Sequence, residues 1–462
     1  MRGPQARRAL TIGAALALLL TVPVPVSAGE PMASVEAGRA LFLGHAPREG
    51  PEPLAFLRGS RNGVPASRFA CANCHGRDGL GQGEGSLRAP AIRWPDLARA
   101  SPQRSDAYDA ASFARAVAEG IDPGGRALDR LMPGYALSGA QTAALIAYLK
   151  TIDEEQRIGV GPSTIRLGIL SAGTGDGFPA ALAQAFAQKL PSPVFGRRVE
   201  LVSLDSEDGP AGERLRRAGI FAAVGLPHGS RELWPELRRL GIPNLFPRAL
   251  LNGDEPEAET VGLLPTLDAI GRAALDQAIT CAKGPLTIAV GGDPASARLA
   301  AAARARAATR PGLPAPILRP VAELIRDVPR PGQNDGCILL FAEPEAVLAL
   351  LSASAPWRYV GLLDQFALAR ERGIPSRHEL VLADPRIVEG QPIDSPAFAR
   401  MIAELIERSL RQAGRQVTKS GMMAKLNQTR RAPGSNAQPD RPGEPDMVRF
   451  RKIGKMSGIK AP

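Results

Sequence analysis

The chain has 462 residues, enough for two or three domains with separate cores. Aromatic residues are scarce at 4%, glycine and proline are abundant (49 and 43), and the formal charge is +11. That charge does not mark a nucleic-acid binder: residues 29–162 hold fifteen basic and fifteen acidic side chains, whereas residues 421–462 hold nine basic against three acidic.

In chain order, Arg2, Arg7 and Arg8 precede an apolar run over 9–22, then Pro23 and Pro25, then the small residues Val26-Ser27-Ala28. This is the layout of a secretory signal over 1–28, cut before Gly29. The apolar core is too short to span a bilayer, so a periplasmic protein with no stable membrane span is expected. Residues 34–44 read as a helix, 45–70 as loop, and 112–119 and 139–151 as helices, the last opening at Ser138 or Gly139. A short linker at 159–162 ends this domain, assigned to 29–158. From 163 to 420, strands (165–170, 199–204, 221–224, 244–246, 286–290, 337–341, 359–362, 379–383) alternate with helices (178–190, 211–218, 231–240, 264–282, 295–308, 344–351, 397–413). That alternation predicts a parallel α/β domain. Residues 421–462, basic and rich in Pro, Gly and Asn, are expected to be a disordered tail.

Cys71-Ala72-Asn73-Cys74-His75 has the C-x-x-C-H spacing of covalent haem attachment. Two thioethers hold the macrocycle while the adjacent imidazole meets the iron from one face. A redox pair needs no adjacent His, and a zinc site needs further ligands nearby, where only His45 is available. One covalent haem c is expected. Met132, the only Met between 34 and 160, sits in Leu131-Met132-Pro133-Gly134-Tyr135 and is the expected sixth ligand. Thioether ligation suits electron transfer, and a closed sixth position argues against a haem enzyme such as a peroxidase. His45, His228 and His378 compete for that role without comparable context.

Residues 34–152 resemble a class I cytochrome c domain. The residues that carry the likeness are Gly38 and Phe42, Cys71 to Gly76, Asp78-Gly79-Leu80-Gly81, Met132-Pro133, and Leu145, Tyr148 and Leu149. The resemblance implies a small all-α fold whose first and last helices cross and close a haem cleft. The stretch between Phe42 and Cys71 is longer than that family's, which bears on the surface beside the haem edge. Arg93 and Trp94 are candidates to meet a propionate, or to be a solvated Arg and a packed Trp.

Residues 163–420 resemble type I periplasmic solute-binding proteins of the branched-chain amino acid ABC transporter group. The likeness rests on Ile165 to Leu170, Phe221 to Gly225, the turn Pro227-His228-Gly229-Ser230, and Gly241-Ile242-Pro243-Asn244. It implies two α/β lobes that close on a small ligand. Ser230, with His228, opens a predicted helix and is the first candidate to hold a ligand carboxylate; Ser171 and Thr174, in the turn after the first strand, come next. A plain N-cap role for Ser230 is the alternative. The turn from Ser171 to Gly177 lacks a phosphate-loop spacing. The module is shorter than its relatives and Tyr359 is its only Tyr, so a protein partner stands as the alternative to a metabolite. Cys281 and Cys337 form a disulfide in an oxidising compartment or remain two buried thiols.

Together these features describe an electron carrier and binding protein, not an enzyme, that meets a periplasmic redox partner such as a dehydrogenase. The alternatives are a binding protein for a small carboxylate or amino acid with haem as an accessory, and a haem enzyme.

Overall fold

The structure is a computed structural model that describes residues 30–47, 50–84, 87–100, 106–189, 193–205, 209–256, 258–281, 286–327, 337–353, 357–372, 378–388, 391–431 and 450–453. The predicted signal segment lies outside them. No helix among the described residues is long and apolar enough to cross a membrane.

Five helices frame the N-terminal module: α1 (Glu30–Leu43), α2 (Cys71–His75), α3 (Trp94–Leu97), α4 (Ala110–Glu119) and α5 (Gly139–Glu155). Ser138 caps α5 by accepting from the Gln141 N–H, while the Gln141 side chain accepts from the Ser138 N–H. Asp109 and Ser112 form the same reciprocal cap on α4. α1 and α5 cross at Gly38, where a Cβ would fall 2.0 Å from the Ala144 carbonyl oxygen, so only glycine allows this approach. Beside the crossing, Phe42 packs on Tyr148 with ring centroids 5.4 Å apart. Leu97, Phe113, Leu145, Leu149 and Ile152 complete the core.

The module is not purely helical. Within the stretch expected to be loop, Leu54–Phe56 pairs antiparallel with Val64–Pro65 and with Gly134–Ala136. The alternation there is only three residues long, too short to read as a strand without its partners.

The α/β part has two lobes. The first holds a parallel sheet in the order Thr260–Val261, Asn244–Leu245, Ala222–Val224, Thr164–Ile169, Arg198–Ser203. The second has the order Ile317–Pro320, Thr287–Val290, Cys337–Phe341, Arg358–Leu362, Glu379–Ala383, Phe450–Ile453, with only the last strand antiparallel. Helix Pro396–Ala413 returns to the first lobe, where Phe398 and Ile402 are buried against its core.

The short segment 159–162 is a tight turn: Val160 bridges to Ile165, and Gly159, at φ +87°, leaves no room for a Cβ beside the Phe221 backbone. One expectation changes. The tail expected to be disordered from 421 begins as helix Lys419–Arg431, which buries Met422, Met423 and Leu426 in the first lobe. Residues 450–453 then add an edge strand to the second lobe. The apolar face of 419–431 is diluted by the polar stretch after it, so the average composition hid it. Residues 432–449 and 454–462 of that expected tail lie outside the described residues.

Candidate functional site

The short helix α2 carries the whole C-x-x-C-H motif. Cys71 and Cys74, three positions apart and therefore on one helix face, are both free thiols. Burial pushes the Cys71 thiol up to about 12. His75 is buried, and its Nδ1 lies 2.8 Å from the Pro90 carbonyl oxygen. A carbonyl only accepts, so Nδ1 carries the proton and Nε2 keeps a lone pair, with no hydrogen bond among the described residues. Burial lowers the imidazole pKa, with the Pro90 bond opposing it, which keeps the ring in this neutral form. The donor set therefore suits haem: two thiols on one face and a buried imidazole whose other nitrogen is locked.

Loops hold the motif from both sides. The Gly81 N–H donates to the His75 carbonyl, and the Ile92 N–H donates to the Gly79 carbonyl, which draws the Pro90 loop over the ring. Arg93, a candidate to meet a propionate, is engaged within the protein. Its Nε donates to the Asp78 carbonyl at 2.8 Å and its Nη1 to Asp153 of α5 at 2.5 Å. Trp94 packs edge-on against Phe113.

Met132 sits half-buried just before the strand Gly134–Ala136. Tyr135, in that strand, donates its hydroxyl to the Phe69 carbonyl at 2.6 Å, tying the Met132 segment to the residues entering α2. Arg58 holds the same segment from the inserted stretch, with Nε on the Met132 carbonyl at 3.1 Å and Nη1 on the Glu119 carbonyl at 2.5 Å. Neither Arg58 nor Tyr135 was legible as a site residue. The only clue was the unusual length of the segment before Cys71. His45 and His378 point elsewhere in the chemistry: His45 pairs with Glu259 at 3.1 Å, and His378 Nε2 contacts the Leu351 carbonyl.

In the α/β domain the expected ligand residues are mostly engaged within the protein. Ser230 is a correction. It lies in a 3-10 turn, His228–Leu233, fully buried, and its hydroxyl donates to the Pro227 carbonyl at 2.6 Å, so it presents no donor to an anion. Ser171 donates its hydroxyl to the Gly173 carbonyl and its N–H to Asp205. Thr174 is exposed at the turn tip. The turn instead wraps Asp176, which takes the Ala172 and Phe178 N–H groups and pairs with buried Arg248 at 2.6 Å. Arg248 also reaches Asp394, 2.6 Å away, and lies over the Phe178 ring. His228 is exposed; partial desolvation, then the Arg231 and Arg386 charges, lower its pKa against Asp364. Cys281 and Cys337 are paired in the structure with Cα atoms 5.8 Å apart, joining the end of helix Leu267–Ile279 to strand Cys337–Phe341.

Residues 66–153 match the family model for cytochrome c. No curated protein matches the chain. Among solved structures, the chain is similar to an ABC transporter substrate-binding protein from Desulfitobacterium hafniense in complex with Leu, at 17% identity over 58% of this chain and 89% of that one, TM-score 0.43. It is also similar to a fatty acid ABC transporter substrate-binding protein from Thermomonospora curvata (17% identity, 63% and 85% covered, TM-score 0.41). A substrate-binding periplasmic protein from Ralstonia solanacearum gives 13% identity, 59% and 90% covered, TM-score 0.41.

Proposed function

We propose that this protein is an exported mono-haem c-type cytochrome that carries electrons, with its two-lobed α/β domain serving to dock a redox partner. The observation that carries the reading is the donor set on α2: paired thiols beside a buried imidazole whose Nδ1 is committed to Pro90. Cys71 and Cys74 would hold haem c through thioethers, and His75 and Met132 would be the residues that ligate its iron. Bound there, the haem supplies a one-electron couple whose potential is raised by the thioether. Pro90 fixes the imidazole tautomer, and Arg58 and Tyr135 hold the Met132 segment to the frame of the module. Arg93 braces the loop after the motif against α5.

Docking is preferred to metabolite binding because Ser230 and Arg248, polar groups of the first lobe, are satisfied internally. A periplasmic dehydrogenase is one donor consistent with an electron carrier. A second reading, binding of a small carboxylate in the cleft, has exposed His228 as its candidate donor and Arg386, which already pairs with Asp394, as the nearby cation. Two experiments separate these. The purified protein should cycle reversibly between two redox states and fail to bind carbon monoxide when reduced; rapid carbon monoxide binding or peroxide turnover by the wild type would contradict electron transfer. A thermal-shift screen with amino acids and small carboxylates should give no hit; a hit lost in His228→Ala would instead favour the second reading.

A further inference from the structure

The two parts of the chain meet across a cavity of about 30 Å3, lined from one side by Arg39, Arg77 and Tyr148 and from the other by Arg238, Glu259 and Lys419. Its walls are built by charge. Glu155 pairs with Arg39, and Glu259 takes Arg77 and Arg238, each at 3.0 Å. Two carboxylates thus face four cations, because Lys419 also lines the cavity.

Lys419 is only 4% exposed, and among the described residues its ammonium has neither a hydrogen bond nor an ion pair. Its backbone N–H, by contrast, donates to the Gln156 carbonyl, and Ser420 is held by the Gln156 side chain. Gln156, at the end of α5, therefore caps helix Lys419–Arg431 and fixes its positive end beside the cavity. Tyr148 is 2% exposed, and its hydroxyl is likewise without a hydrogen-bond partner among the described residues. Two nearly buried residues whose donor atoms have no acceptor among the described residues, lining a cavity with an excess of positive charge, suit an acceptor that carries negative charge.

We propose that this interdomain cavity binds one small monovalent anion, of the size of chloride, held by Lys419 and Tyr148 and bridging the two parts of the molecule. The volume suits a compact anion or about two or three waters. Burial, opposed by Glu155 and reinforced by Arg39, brings the Lys419 ammonium down to about 8. Water in place of the anion would satisfy the two donors and leave the excess charge standing.

The test uses the full-length protein. Crystals soaked in sodium bromide should show an anomalous peak in contact with the Lys419 ammonium. In solution, halide should raise Tm with a saturating dose dependence that sodium gluconate at equal ionic strength does not reproduce. Lys419→Met should weaken the halide dependence at least tenfold, and Tyr148→Phe, which keeps the ring against Phe42, several-fold. Should Lys419→Met not fold, Tyr148→Phe and the bromide peak decide. Water density alone in the cavity, or equal responses to halide and gluconate, would overturn the proposal.

Discussion

His75 illustrates how a single hydrogen bond sets a ligand: with Nδ1 tied to the Pro90 carbonyl, only Nε2 is left to meet a metal. On the other side, the Met132 segment is held by groups far away in sequence, Arg58 and Tyr135. Met132→Ala is expected to abolish the weak thioether-to-iron band near the red edge of the visible in the oxidised protein and to lower the midpoint potential, checked by spectroscopy and redox titration. Arg58→Ala removes donors from two backbone carbonyls, at a cost of about 1.5–3 kcal/mol per charged hydrogen bond at most. Carbon monoxide binding by the reduced variant should then rise above that of the wild type as Met132 loosens; an unchanged rate would mean that the segment is held without Arg58. The motif at 71–75 and Met132 were legible because their chemistry is local. Arg58 was not, since its acceptors are 61 and 74 residues away.

Among the elements, the α1–α5 crossing depends on one missing side chain. Gly38→Val would push a branched side chain into the Ala144 backbone, and a loss of about 1–3 kcal/mol is expected in denaturant unfolding. The helix pattern and the Ser138 cap of α5 were readable from spacing alone, because capping and periodicity are short-range. The strand Leu54–Phe56 and the helix Lys419–Arg431 were not. The strand exists through its pairing with Val64–Pro65 and with distant Gly134–Ala136, and the helix is stabilised by burying Met422, Met423 and Leu426 in a lobe that begins about 250 residues earlier in the chain. Ser230 fails as a ligand residue for a related reason: the turn predicted as a helix N-terminus is 3-10, and its hydroxyl closes that turn.

At the scale of the molecule, ion pairs join the haem-motif module to the first lobe. Glu36 meets Arg216 and Arg239, and Glu259 meets His45, Arg77 and Arg238. Burial by itself would raise both carboxyl groups, but the surrounding cations outweigh it and hold each below its ordinary 4.5. A carboxylate whose folded pKa is depressed contributes stability that is complete above the unfolded value and is lost as pH falls through the folded one. Tm should therefore drop as pH falls below about 4.5, and Glu259→Gln should flatten that acid limb. Within the α/β domain, Arg248→Ala would leave Asp176 buried without its partner, and about 3–5 kcal/mol should be lost in urea unfolding.

The most direct measurement is extraction of the purified, exported protein with acid acetone, followed by a pyridine haemochrome spectrum of what remains attached to the chain. One haem per chain should stay with the protein, with the spectrum of a macrocycle bearing two thioethers, and Cys71→Ser with Cys74→Ser should abolish it. A colourless protein made alongside a working haem-attachment system, or pigment that passes into the solvent, would contradict covalent haem at α2.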